Sequence, residues 1–237
     1  ELGNWYVGQK QGEIWGYETY GLFQSEQEIA GAANQDKVSG GIKLMPGDIR
    51  FVDRNNDGVI DWGDNTVDNP GDKKIIGNST PRYHYGINLG ADWKGFDLGI
   101  FFQGVGKRDL YLPGTSFRSH YGSEWQVPSA YNNDYWTEEN TGAYFPRARF
   151  NGGSAINQAQ TRYMVDASYC RLKSVSIGYT LPKVLTQKAS IEKIRIYFTG
   201  ENLFTISDTP DGLDPELDNP YTYPMQRSLS VGLSLTF

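Results

Sequence analysis

The chain has 237 residues, with 28 acidic against 22 basic side chains and a formal net charge of −6, so the basic footprint of a nucleic-acid binder is missing. Aromatic residues make up 14% and there are 28 glycines, a β-rich and turn-rich composition that is the opposite of a disordered one. A single cysteine, Cys170, excludes an intramolecular disulfide, and with only two distant histidines, His84 and His120, no zinc pattern forms.

In chain order, the opening "ELGNWYVGQK" lacks the apolar core and cleavage pattern of a signal peptide. A weak strand is expected within residues 5–20. A long polar link over 23–80 follows, and inside it, across 46–72, stands "FVDRNNDGVIDWGD". This stretch fits the oxygen-ligand spacing of an EF-hand calcium loop. Asp53, Asn55 and Asp57 would give side-chain oxygens, Val59 a backbone carbonyl, and Asp61 and Asp64 the ninth and twelfth positions. Gly58 permits the sharp turn, and Ile60 would anchor the loop to neighbouring structure. The expected cofactor is a divalent cation, calcium ahead of magnesium, because the ligands are many and all oxygen. No helical pattern flanks the loop, so a structural staple is predicted rather than a sensor. The bland alternative is a run of Asx turns.

Residues 81–93, "PRYHYGINLGADW", alternate strictly: Tyr83, Tyr85, Ile87, Leu89, Ala91 and Trp93 against Arg82, His84, Gly86, Asn88, Gly90 and Asp92. Lys94-Gly95 reads as a tight turn, and 96–104 alternates again, with Phe101 the exception on the polar face. A long link over 107–169 precedes a strand at 174–181. A short link over 182–192 leads to a strand at 193–205, and a long link over 207–227 leads to the last strand, 228–237. No run of 18 apolar residues exists for a transmembrane helix, but a β-barrel carries its membrane signal in alternation.

Alternation alone fits a soluble sandwich as well as a membrane barrel. Three features favour the barrel. The strands reach the roughly 9–11 residues of a tilted crossing. Aromatics (Tyr83, Tyr85, Trp93, Tyr179, Phe204, Phe237) sit toward the ends of the apolar faces. Short and long connections also alternate, as they do between the two sides of an outer membrane.

The blocks "GEIWGYETYGLFQSEQEI", "PGDIRFVDRNNDGVID", "IIGNSTPRYHYGINLGADWKGFDLGIFFQGVG", "YWTEENTGAYFPR", "ASYCRLKSVSIGYTLP" and "IRIYFTGENLFT" resemble, in this order, the SusC/RagA class of TonB-dependent transporters. Cys170 before Arg171 departs from that pattern. The resemblance covers nearly the whole chain. It implies an all-β, antiparallel transmembrane barrel of 22 strands filled by an N-terminal plug, with residues 1–237 as its C-terminal part, strands 17 to 22, and the plug on the rest of the transporter chain. It implies outer-membrane location in a Gram-negative bacterium and import of oligosaccharides or peptides into the periplasm. The partners it implies are a SusD-like surface lipoprotein lid and the TonB–ExbB–ExbD complex. The ending "SLSVGLSLTF" resembles the signal read by the barrel-assembly machinery, carried by Leu229, Val231, Leu233, Leu235 and Phe237. On this reading the three long links face outside the cell.

No catalytic constellation emerges. Glu138 and Glu139 are adjacent carboxylates that point apart in an extended loop, and "GVG" at 104–106 opens no helix. The aromatics of the 107–169 link, Tyr111, Phe117, His120, Tyr121, Trp125 and Trp136 among them, suit substrate or partner contact, or packing of the loop on itself. The reading from another class is a secreted, calcium-stapled β-sandwich that binds glycans.

Overall fold

In the computed structural model, which describes residues 2–112, 134–149, 154–187, 190–217 and 222–237, the first strand, β1 (Glu13–Tyr17), is only five residues long. It pairs antiparallel with β4 (Lys73–Asn78), with a bulge between Ile14 and Trp15. Between them lie β2 (Thr19–Leu22), α1 (Glu26–Ala30), α2 (Asp36–Ser39) and β3 (Ile49–Phe51). β2 pairs with β3. Ser25 caps α1 by accepting the Glu28 N–H at 3.2 Å, while the Glu28 carboxylate takes the Gln24 N–H at 2.8 Å. Both helices are a turn long, too short for any periodicity to announce them.

These elements belong to one of two units, built from Glu1–Thr80 and Asp109–Val165. Its interior gathers Tyr17, Phe23, Val38, Ile49, Ile60, Leu112 and Tyr163, all essentially inaccessible. The strand expected within residues 5–20 is therefore real, but it does not extend the wall sheet. β1 is too short to cross a bilayer and pairs inside the first unit. The six expected wall strands are five among the described residues.

The second unit, from Pro81–Arg108, Asp166–Leu217 and Tyr221–Phe237, is that sheet. β5 (Tyr83–Trp93) and β6 (Phe96–Gly106) form a hairpin; a small pair, β7 (Asp109–Tyr111) with β8 (Met164–Asp166), follows in sequence. β9 (Tyr169–Thr180), the one-turn α3 (Lys183–Thr186), β10 (Lys193–Ser207) and β11 (Ser228–Thr236) complete the chain. The sheet order is β11-β10-β9-β6-β5, antiparallel throughout, with strands of 9 to 15 residues that match a tilted crossing. Lys94 (φ 47°) and Gly95 (φ 91°) both take left-handed backbone, as a type I′ hairpin turn demands.

Register makes two faces. One row runs Ala91, Leu98, Ile177, Phe198, Val231, and the next Trp93, Phe96, Tyr179, Ile196, Leu233. The opposite face carries Gly90, Gly99, Ser176, Thr199 and Ser230 in the same order. The apolar face is open: Leu89, Trp93, Ile177, Phe198 and Val231 are all exposed. A soluble sandwich buries such a face under a second sheet. Among the described residues of this unit no second sheet lies across it, so the sandwich reading finds no support. No helix among the described residues is long and apolar enough to cross a membrane, which says nothing of strands.

One irregularity re-aims part of the wall. Across β6 and β9, Phe101 faces Ser174 but Phe102 faces Leu172, leaving Lys173 as the extra residue of a bulge. The bulge reverses the alternation of β9. Leu172 joins the row of Phe102 and Phe204, and Arg171 turns to the polar face beside Gln103 and Thr205.

Candidate functional site

The Asp53 loop closes on itself. Asp53 accepts the N–H of Asn56 at 2.7 Å and of Gly58 at 2.9 Å, Asn55 Oδ1 accepts from Asp57 at 3.0 Å, and Asp57 Oδ1 accepts from Val59 at 2.8 Å. Asn56 (φ 59°) and Gly58 (φ 84°) supply the left-handed turns. Ile60 is buried, as its position in the motif predicts, and its backbone bridges the first unit: Ile60 N–H donates to Asn34 O at 2.7 Å and Asn34 N–H to Gly58 O at 2.9 Å.

For a divalent cation the first half of the loop fits. The oxygens of Asp53, Asn55 and Asp57 are each engaged by an amide and keep a further lone pair. Among the described residues no backbone N–H donates to the Val59 carbonyl. The second half is turned elsewhere. Asp61 Oδ2 takes the Lys37 ammonium at 2.6 Å and Oδ1 the Gly63 N–H at 2.8 Å, while Asp64 Oδ2 takes the Asn69 amide at 2.9 Å. Accordingly, no three His, Cys, Asp or Glu side chains among the described residues gather in a way that could hold a metal ion. The Lys37 ammonium and the Gly63 N–H hold the Asp61 carboxyl below the ordinary carboxylate range, and the Asp61 bond raises Lys37 in return.

A residue outside the motif closes the loop. Asp72 is fully buried, and its carboxylate accepts the N–H of Arg54 at 2.7 Å and of Asp61 at 2.8 Å. Its only sequence signal is a lone aspartate at a Gly-Asp turn.

Of the aromatic contact candidates, Phe117, His120, Tyr121 and Trp125 lie outside the described residues. Trp136 is 4% exposed, so it offers no face to a partner; its indole N–H reaches Gln24 Oε1 at 3.2 Å and Arg147 stacks on its ring at 5.5 Å. Gly47 lets the chain pass against that ring (φ 94°; a Cβ would meet Trp136 Cε3 at 2.5 Å). Tyr111 is half-buried and donates its hydroxyl to Gln158 O at 2.8 Å. Both described rings pack the loop. At the chain's end, Leu229, Val231, Leu233 and Leu235 occupy the apolar face of β11, with Phe237 beyond them and 84% exposed.

The polar face of the wall holds a second constellation. Arg171 on β9 pairs with Asp214 at 2.6 Å and donates Nε–H to Thr205 Oγ1 at 2.7 Å; Lys173 pairs with Glu216 at 3.1 Å. Arg108 adds a bond to Pro215 O at 2.9 Å. These contacts draw the β10–β11 connection in against the polar face.

No protein-family model matches the chain. Curated relatives do. TonB-dependent receptor P3 of Formosa agariphila is 31% identical over 97% of this chain and 22% of its own length. TonB-dependent receptor SusC of Bacteroides thetaiotaomicron is 29% identical over 79% of this chain and 17% of its own. Over nearly all of its length the chain is homologous to TonB-dependent receptors, SusC among them. A solved structure of the RagAB peptide transporter shares the fold, with a TM-score of 0.67 at 21% identity over 98% of this chain and 23% of that one. The chain thus spans about a fifth of the length of the curated relatives it matches. TonB-dependent receptors are outer-membrane β-barrel transport proteins, and the open apolar face of β5, β6, β9, β10 and β11 has the alternation expected of the lipid-facing side of such a barrel.

Proposed function

We propose that this chain is the C-terminal wall of a 22-stranded, plugged outer-membrane barrel. That barrel imports oligosaccharides or peptides into the periplasm, driven by TonB–ExbB–ExbD under a SusD-like lipoprotein lid. The observation that carries the reading is the five-stranded sheet with one continuous apolar face and one polar face, in strands of crossing length. The curated relatives, TonB-dependent receptors, support the energy coupling. The RagAB structure, a peptide transporter, supports peptides as one substrate class. The terminal pattern Leu229 to Phe237 is the proposed signal for the barrel-assembly machinery. If β11 runs toward the periplasm, the links 23–80, 107–169 and 207–227 face outside the cell.

The Asp53 loop is proposed as a calcium staple of an extracellular loop. Asp53, Asn55, Asp57 and the Val59 carbonyl would hold the ion, and Asp61 would join once Lys37 is released. A bound calcium supplies positive charge that ties these oxygens together. Extracellular modules of this kind bind at about 10⁻⁴–10⁻³ M, a range suited to stiffening.

The test is growth and uptake. Cells carrying the intact gene take up a fluorescent oligosaccharide or peptide in a TonB-dependent manner, and the purified protein stays monodisperse only in detergent. Uptake that survives loss of TonB, or a protein monodisperse in plain buffer, would sink the reading.

A further inference from the structure

One end of the wall sheet carries its short connections, the Lys94-Gly95 turn between β5 and β6 and α3 between β9 and β10. At this end the apolar face finishes in aromatic rings. Trp93 is 68% exposed, and Phe96 packs on Tyr179 with ring centroids 4.5 Å apart. The turn sits flush against them, since a Cβ on Gly95 would meet Thr180 O at 2.8 Å and Tyr179 Cε2 at 3.3 Å. Lys94 lays its ammonium over the exposed Trp93 ring, 5.0 Å from the centroid. A cation held on an aromatic face keeps its charge and its N–H donors. Among the described residues no carboxylate pairs with Lys94.

Beside the turn is an open hollow of about 490 Å³, lined by Trp93, Phe96 and Thr180 and by five charged side chains. Lys94, Lys193 and Arg195 are cations, and Asp92 and Asp97 are carboxylates, which leaves one net positive charge. Arg195 is committed to Asp97: Nε donates to Oδ2 at 2.9 Å and Nη2 to Oδ1. The adjoining connection adds one charge of each sign, Lys183 and Glu192. On α3, Val184 and Leu185 are both exposed. Apolar side chains on a one-turn helix beside a cationic, aromatic rim suit the boundary between headgroups and acyl chains.

We propose that this end of the wall is a docking site for a glycerophospholipid, with its phosphodiester at Lys94 and its acyl chains along the apolar row. The net charge of the hollow calls for one negative group, and Asp92 opposes a second. The row from Trp93 through Phe96, Tyr179 and Ile196 to Leu233 makes a lipid the occupant rather than a free phosphate. Its Trp93, Phe96, Ile196 and Leu233 side chains are exposed and continue directly from the cation. Burying them under an acyl chain adds an attraction that a soluble anion lacks. The proposal rests on the barrel reading, since only a wall set in a bilayer meets acyl chains.

The experiment uses the intact transporter in a nonionic detergent, with lipid retention titrated by native mass spectrometry. The probes are dioleoylphosphatidylethanolamine, the matching diacylglycerol, and glycerophosphoethanolamine, which is the headgroup without chains. Lys94→Asn is the main variant. It deletes the cation at φ 47° and leaves Asn-Gly, the pair that a type I′ turn favours, so the hairpin keeps its fold. Lys107→Gln, just past the other end of β6, removes an equal charge away from the site. The expected result is a retained phospholipid whose binding Lys94→Asn weakens about fivefold and Lys107→Gln leaves unchanged. Diacylglycerol is expected to bind parent and Lys94→Asn equally, and glycerophosphoethanolamine to displace nothing at the same concentration. Phospholipid binding equal in parent and Lys94→Asn, an equal loss in Lys107→Gln, a diacylglycerol loss in Lys94→Asn matching the phospholipid's, or displacement by the bare headgroup would each overturn the docking site and leave the barrel reading standing. A protein that is monodisperse without detergent and retains no lipid would overturn the two together.

Discussion

The carboxylate of Asp72 accepts the backbone N–H of Asp61 at 2.8 Å, and the Asp72 N–H returns a bond to the Asp61 carbonyl at 3.0 Å. With the bond from Arg54, this side chain grips both ends of the Asp53 loop from outside the motif. Asp72→Ala orphans two amides, at about 1–3 kcal/mol for each that stays buried. The expected outcome is a lowered thermal midpoint and faster amide exchange at Arg54 and Asp61. Unchanged exchange at both would show that the clamp is dispensable.

On the calcium proposal, Lys37 would compete with the cation for Asp61. Its ammonium pairs with Oδ2 and holds the carboxyl ionised. Lys37→Met is expected to tighten calcium binding several-fold, and Asp57→Ala to abolish it, both read by calorimetry. If Lys37→Met leaves calcium affinity where it was, Asp61 is not a ligand.

Gly47→Ala places a Cβ 2.5 Å from the Trp136 ring and 2.6 Å from Arg147 Cβ, at a backbone φ of 94°. Overpacking of this kind costs about 1–3 kcal/mol, and left-handed backbone adds about 1–2. A thermal midpoint equal to the parent's would mean that the ring is not held there.

The two faces of β11 predict opposite tolerance. Leu233 lies in the apolar row with Ile196, while Ser234 faces Arg195 on the other side. Leu233→Arg is expected to destabilise the assembled barrel by about 2–4 kcal/mol if near the bilayer midplane, and Ser234→Arg far less. Urea unfolding in liposomes measures both, and equal losses would contradict the assignment of faces.

Asp214 predicts an acid limit for the folded-in connection. Burial pushes its carboxyl up, but the Arg171 bond and the amides of Met225 and Glu216 outweigh burial and leave it below the ordinary range. A carboxyl depressed on folding contributes stability above its unfolded value, about 4, and that contribution is lost as pH falls through the lower folded value. Amide exchange across Leu213–Leu217 is expected to be flat from pH 7 to 5, once corrected for intrinsic rates, and to accelerate below about 4. Acceleration beginning near neutrality would point to another group. Asp214→Ala removes the nearer of the two carboxylates beside the buried Arg171 and leaves Glu216, at 3.5 Å, to face it, so the loss is expected to stay below the roughly 3–5 kcal/mol of a fully unpaired buried charge.

Strand identity was plain in the sequence wherever alternation was strict. Residues 81–104, 174–181 and 228–237 fold as strands within a few positions of where the pattern puts them. The upper half of β9 was not plain, because the bulge at Lys173 reverses the parity that an uninterrupted alternation would assign to Leu172 and Arg171. Trp136 reads from its neighbours as a loop contact, yet it is core, since Gly47 from a distant part of the chain packs on it. The strand near residue 15 was visible, but not its partner 60 residues later.

The sequence by itself determined which residues of each strand share a face, because the period of two is a local property of extended backbone. It also set the order of oxygens in the Asp53 loop, for the same local reason. Tertiary structure alone decided what those residues meet. Arg171 and Asp214 stand 43 positions apart, and Asp72 and Asp61 eleven. Their pairing depends on register, bulge and chain reversal, which arise from packing between segments and leave no periodic trace in either one.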